Sequence, residues 1–271
     1  MNVVVERSAA DPCPERMGDR PCAPLNKVFI KSRNTLVPVA YAACTCGRRF
    51  ALQDKDRRDL GRLSSRLFLG QGSHLYGSEL DECIRLHTWP IDRRVALSKP
   101  GVVPVGTSVL HSPAARIGEV RPSVRTFEGH LLAVMKQSNG AGLAANQVGV
   151  PIRMLAHNFP KVAPPVLLNA EKVKSAGMWR FEEGCLSLQL PGVRATVERP
   201  RRITVRGCTT DGGVVVIMAG ELVARVLQHE LDHLDGVEYV QRLKGVERER
   251  VYELMESAGI DVGLMPPCHT A

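Results

Sequence analysis

Leu222, Val223, Val226, Leu227, Leu231 and Leu234 recur at helical spacing, and Gly220 and Gly236 bracket them. That pattern predicts a helix with one strongly apolar side. Val124, Phe127, Leu131, Val134 and Met135 fall at i, i+3, i+7, i+10 and i+11, which predicts a packed amphipathic helix over residues 121–138. Asn139-Gly140 ends it. Between residues 151 and 218 the period changes. Short apolar or alternating runs at 153–156, 165–169, 193–197, 203–206 and 214–218 are punctuated by Gly, Pro and Asp, as in Asp211-Gly212-Gly213. The expectation is an α+β fold, with antiparallel sheets wrapped around the helix at 222–234. Beyond it, residues 237–240 read as a closing strand and 246–258 as a charged C-terminal helix with Val251, Leu254 and Met255 inward. Pro266-Pro267-Cys268-His269 reads as a frayed tail.

Residues 1–100 break this regularity. They hold 17 Lys and Arg against 11 Asp and Glu, a net +6 of the chain's +8, and include Cys13, Cys22, Cys44, Cys46 and Cys83. Pro and Gly interrupt the segment, leaving a candidate strand pair at 28–39 and a candidate basic helix at 54–69. The favoured reading is a poorly ordered basic extension over 1–100, a catalytic domain over 101–245, and a helix and tail over 246–271. A translation start near Val102 or Val103 is a competing account. Cys44-Thr45-Cys46 is a weak metal signal, and the arginines make the extension a candidate ribosome contact. No run of eighteen apolar residues exists, so no membrane span is expected. The first residues lack the pattern of a secretory signal. Eight cysteines without a small-scaffold framework, Cys208 among them, leave the cytoplasm as the expected location.

The chemistry concentrates in Gln228-His229-Glu230-Leu231-Asp232-His233-Leu234-Asp235-Gly236. On a helix His229 and His233 leave the same face one turn apart, so both imidazoles can hold one metal ion, with Glu230 beside it as general base. A solvated helix with a chance spacing is the bland alternative. The third ligand decides the reaction. Tyr239 stands where a longer His motif would place a histidine. Glu249 or Glu253 could complete a zinc metallopeptidase site, although they lie in a mixed-charge run. Cys185, in the turn Glu182-Glu183-Gly184-Cys185-Leu186-Ser187, could supply a thiolate.

Three blocks in this order resemble the motifs of the peptide deformylase family: Gly140-Ala141-Gly142-Leu143-Ala144-Ala145-Asn146-Gln147, then Glu183-Gly184-Cys185-Leu186-Ser187, then the stretch from Gln228 to Gly236. The resemblance runs from about Val103 to about Leu243. It implies removal of the N-formyl group from the initiator methionine of nascent polypeptides, with Cys185, His229 and His233 as metal ligands. It implies Fe²⁺ as the metal, with Zn²⁺, Ni²⁺ or Co²⁺ able to substitute. It also implies that the side-chain amide of Gln147 and the backbone N–H of Leu186 stabilise the oxyanion. The substrate backbone would pair with Ala141 and with the carbonyl of Gly184, beside Gly142. No direct nucleic-acid contact is required for that reaction. Leu222 and Val226, on the His229 face of the helix, can wall an apolar slot for methionine, or be plain core.

The chain departs from the family pattern in places. Ala141 replaces a larger aliphatic residue, and two residues are added after Ser187, so that loop should bulge. Glu238 replaces an apolar residue and Gln241 an Asp; both are expected to affect packing and a surface contact rather than chemistry. A member that only binds nascent chains, without turnover, is a further alternative, which an intact Glu230 and Gln147 disfavour.

Overall fold

The computed structural model describes residues 73–93 and 95–268; before residue 73 it describes only the strands β1 (Arg16–Met17), β2 (Arg20–Pro21), β3 (Asn26–Lys31), β4 (Ala42–Ala43) and β5 (Arg49–Phe50). The candidate helix at 54–69, residues 32–39 of the candidate strand pair and the Cys44-Thr45-Cys46 metal signal lie outside the described residues. Helix α1 (Gly77–His87) follows strand β6 (His74–Leu75), which pairs with β7 (Arg116–Ile117). Leu80 and Ile84 of α1 are buried in one cluster with Phe127, Leu131 and Val134. Residues 73–100, read from the sequence as the end of the extension, thus contribute part of this packed layer.

Helix α2 (Pro122–Gln137) opens with proline in its first turn and buries the five apolar residues of its predicted stripe. Asn139, at φ 53°, turns the chain out of it. Strands β8 (Gly142–Ala144), β9 (Met154–His157), β10 (Val166–Glu183), β11 (Ala195–Cys208) and β12 (Val214–Gly220) follow. With β3, β4 and β5 they form an eight-stranded antiparallel sheet in the order β5-β4-β3-β12-β11-β10-β9-β8. The α+β expectation holds, but the strands are longer than the apolar runs suggest. Residues 195–197 and 203–206 belong to one strand, and β10 continues through mostly exposed residues to Glu183. Its register shifts between Leu168 and Glu171, where Asn169 adopts φ 51° and bonds Ile117 N and O, each at 2.8 Å.

Helix α3 (Glu221–Leu234) lies against the sheet, with Val223, Ala224, Leu227, Leu231 and Leu234 packed on Leu155, Leu167, Ile203, Val205, Val215 and Ile217. Gly236, at φ 75°, ends it; a Cβ there would lie 2.8 Å from the Ser112 backbone. Helix α4 (Gly245–Ser257) covers a third cluster with Val251 and Met255. Two expectations fail nearby. The segment after α3 is a 3₁₀ turn at Tyr239–Arg242, not a closing strand. The tail is tied down through Cys268, whose N–H donates to Gln241 O at 2.9 Å, while Gln241 Nε2 donates to Pro266 O at 2.8 Å. Gln241 is therefore a buried clamp rather than a surface contact.

Candidate metal centre

Helix α3 is buried on nearly every side, and each side carries a different chemistry. Its apolar stripe packs on the sheet. A second face presents Leu222, Val226, His229 and Glu230 to a cavity of about 430 Å³, with His233 buried behind them against Cys185. The third carries Arg225, Gln228 and Asp232, polar yet buried, and therefore in need of partners.

Cys185 sits in the crest joining β10 to β11, with its sulfur 3.3 Å from His233 Nε2. Ligand atoms of Cys185, His229 and His233 all lie within 4.8 Å of one another. A tetrahedral dication binding at about 2.0–2.3 Å separates its ligand atoms by roughly 3.3–3.6 Å, so the donor set fits such an ion. Among the described residues this is the one cluster of that kind. Glu249 and Glu253, the alternative third ligands, are exposed on α4. Tyr239 is buried and its hydroxyl donates to Val193 O at 2.7 Å.

Local charge favours a cation. Burial alone would drive the His229 imidazole down, yet the Cys185 sulfur and the Glu183 carboxylate push it up to about 10. His233 is likewise raised against its burial, by Glu238 and then Cys185. Burial would push the Cys185 thiol up, but the charge of His233 brings it below its ordinary value. The same anions that favour an imidazolium favour a bound dication.

Three carboxylates buttress α3. Glu183, the last residue of β10, accepts from His229 Nδ1 at 3.1 Å and from Arg199 Nε and Nη2 at 2.6 and 2.9 Å; Arg225 is its third partner. Burial would raise this carboxyl; His229 and Arg199 hold it well below the usual range instead. Asp232 is paired with Arg199 at 2.6 Å and with Arg242 at 2.6 Å. Glu238 is fully buried, 3.5 Å from His233 Nδ1. Sequence reasoning missed Arg199, Arg225 and Asp232. Asp232 lay inside the His motif as the one local signal, and its partners come from β11 (Arg199) and from the 3₁₀ turn after the helix (Arg242).

The remaining site residues converge on the same cavity. Gly140, Ala141, Gly142, Gln147, Gly184 and Leu186 all line it. Gln147 is buried in the 3₁₀ turn Ala145–Val148; its Oε1 accepts from Ala144 N at 2.9 Å, leaving Nε2 to face Cys185 Sγ at 3.4 Å and Ser187 Oγ at 3.3 Å. Gly142 admits Glu230, because a Cβ there would lie 2.4 Å from Glu230 Oε1. Glu230 is buried with Oε2 unpartnered, and burial outweighs the two imidazoles to raise its carboxyl. An irregular segment from Lys99 to Val105 ties these loops together. Lys99 N donates to Leu186 O at 3.0 Å, Val103 N to Gln147 O at 2.8 Å and Val105 N to Ser187 O at 2.9 Å. The lengthened loop folds back, with Gln189 N on Leu97 O at 2.8 Å and Gln189 in the cavity wall. A second cavity, of about 470 Å³, lies on the Asp232 flank of α3; its arginines are already committed to Glu171, Asp232 and Asp235, so the reactive groups lie in the first.

The family profile of polypeptide deformylase matches residues 100–249, more than half of the chain. The chain belongs to the peptide deformylase family. Its reaction is removal of the formyl group from the N-terminus of nascent polypeptides, and it depends on a divalent metal, for which the Cys185–His229–His233 cluster is suited. Over 156 residues this deformylase is 40% identical to peptide deformylase 2 of Streptomyces avermitilis, covering 54% of this chain and 81% of that protein. It is 43% identical over 146 residues to peptide deformylase of a Picosynechococcus species, covering 52% and 76%. A crystal structure of a Synechococcus elongatus peptide deformylase in complex with actinonin superposes with a TM-score of 0.56 at 31% identity, over 68% of this chain and 98% of that one. The metallopeptidase alternative is thereby set aside. Among the described residues, no helix is long and apolar enough to cross a membrane.

Proposed function

We propose that Cys185, His229 and His233 hold one Fe²⁺ ion and that the reaction runs in the cavity beside them on N-formylmethionyl chains. The clustering of these three donors, two of which line one cavity with Glu230 and Gln147, carries this reading. A bound divalent ion supplies Lewis acidity to the formyl carbonyl and to the attacking water. Glu230 takes the proton from that water and delivers it to the departing amine nitrogen, a task suited to a carboxyl whose pKa burial has raised. Gln147 Nε2 and the backbone N–H of Leu186 donate to the tetrahedral oxyanion, each worth about 3–4 kcal/mol in comparable sites. Leu222 and Val226 wall the methionine side chain, and Ala141, Gly142 and Gly184 offer backbone to the peptide. Fe²⁺ is proposed on the family resemblance; the Cys/His/His donor set itself also suits Zn²⁺, Ni²⁺ or Co²⁺ as substitutes. The proposed location is the cytoplasm, with the basic extension as a candidate ribosome contact. The test is anaerobic purification, metal analysis and formate release from formyl-Met-Ala-Ser. Glu230→Ala is expected to keep its metal and lose about 10²–10⁴-fold in kcat; parental turnover would refute the assigned roles.

A further inference from the structure

We propose that Glu238 is a positioning residue for the metal ligand His233, accepting its Nδ1–H so that Nε2 is fixed as the donor beside Cys185. This inference rests on the reading of Cys185, His229 and His233 as the metal ligands. One imidazole is addressed from both ends: Nε2 lies 3.3 Å from the sulfur and Nδ1 lies 3.5 Å from Glu238 Oε1. A neutral imidazole that gives Nε2 to a cation carries its proton on Nδ1, and that proton needs an acceptor. His233 Nδ1 and both Glu238 oxygens have no hydrogen-bond partner, stand 3.5 Å apart at their nearest, and are buried.

Charge points the same way. Glu183 is answered by Arg199 and Arg225, and Asp232 by Arg199 and Arg242. Glu238 has no Arg or Lys ion-pair partner among the described residues; its one ion pair is with His233. A buried carboxylate so placed needs a cation at hand, and one held by His233 Nε2 would supply it. The carboxylate in turn strengthens the imidazole as a donor. The backbone is built to hold it there. Glu238 N–H donates to Gln241 Oε1 at 2.7 Å, and Gln241 Nε2 is anchored on Pro266 O. The two departures from the family pattern in this turn are therefore one device. His229 and His233 each carry a carboxylate on Nδ1, Glu183 from the sheet and Glu238 from the turn after the helix.

The test uses the full chain loaded with Zn²⁺, with zinc loss to a chelator and the ring N–H resonances as readouts. Glu238→Gln keeps shape and an acceptor but removes charge; Glu238→Leu removes both. We expect zinc loss to accelerate by about 10–100-fold in Glu238→Leu and by less in Glu238→Gln. The downfield Nδ1–H resonance of His233 should move upfield in Glu238→Gln and vanish in Glu238→Leu. If Glu238→Leu does not fold, Glu238→Gln decides. Parental zinc retention with an unmoved resonance would overturn the inference and leave Glu238 a packing residue. Cys185→Ala runs alongside: stoichiometric zinc in that variant would overturn the metal site itself, a failure distinct from that of Glu238.

Discussion

Gly142→Ala tests the site with one methyl group. The added Cβ would stand 2.4 Å from Glu230 Oε1 and 2.7 Å from Val226 Cγ1, where real Cβ atoms essentially never come within 3.0 Å. Relieving the first contact requires a retreat of about 0.6 Å by a carboxylate that is itself buried. Val226 cannot share much of the shift, because a β-branched side chain on a helix has one comfortable rotamer. Misplacing a catalytic group by about 1 Å costs about 10²-fold, near 2.7 kcal/mol in the barrier. Overpacking adds about 1–3 kcal/mol of lost stability. The expected result is formate release lowered by about 30–100-fold in kcat, with metal content unchanged, since neither contact touches Cys185, His229 or His233. Gly140→Ala, whose Cβ meets only 3.0 Å contacts with Gly142 O and Leu186 Cδ1, should cost less. Full kcat in metal-replete Gly142→Ala would refute the placement of Glu230 as the base.

Three further outcomes follow from the same geometry. Arg199→Met strips a guanidinium from both Glu183 and Asp232, so urea denaturation should show a loss of about 3 kcal/mol or more; a loss under about 1 kcal/mol would show that Arg225 and Arg242 suffice. Burial lowers the His157 imidazole from 6.5 to about 4, so folding favours its neutral form and stability falls as pH drops through that interval; His157→Phe should remove up to about 3 kcal/mol of that acid loss in denaturation curves at pH 7 and 4.5, and an unchanged pH slope would refute it. Glu253→Ala, on the exposed face of α4, should leave metal content and turnover at parental values, whereas a loss of metal would reinstate a carboxylate ligand.

What could be read from the chain beforehand follows from the range of the interactions. The stripe of α2 and the His229–His233 face of α3 are local periodicities, visible within a dozen residues. Cys185 could be offered as a ligand only through its motif, because the sulfur meets His233 across 48 residues. The outer half of β10 carried no apolar alternation, since its side chains from Glu171 to Glu182 are mostly exposed, and its strand character comes from pairing with β11. The ion pairs of Arg199 bridge 16 and 33 residues and leave no trace in any window of sequence. The closing strand expected at 237–240 gives way to a 3₁₀ turn that leaves Glu238 buried beside the helix, a placement set by contacts beyond the local sequence.

The short run from Lys99 to Val105 gauges the spacing between two loops that never bond to the helix through it. Its amides grip Leu186, Gln147 and Ser187 in turn, so the sulfur and the side-chain amide opposite are measured off against one ruler. A version of the protein beginning at Val103 would set a charged terminal amine where a plain amide now meets Gln147 O and would forfeit the Lys99 grip altogether. The shortest fragment worth expressing therefore starts before Lys99.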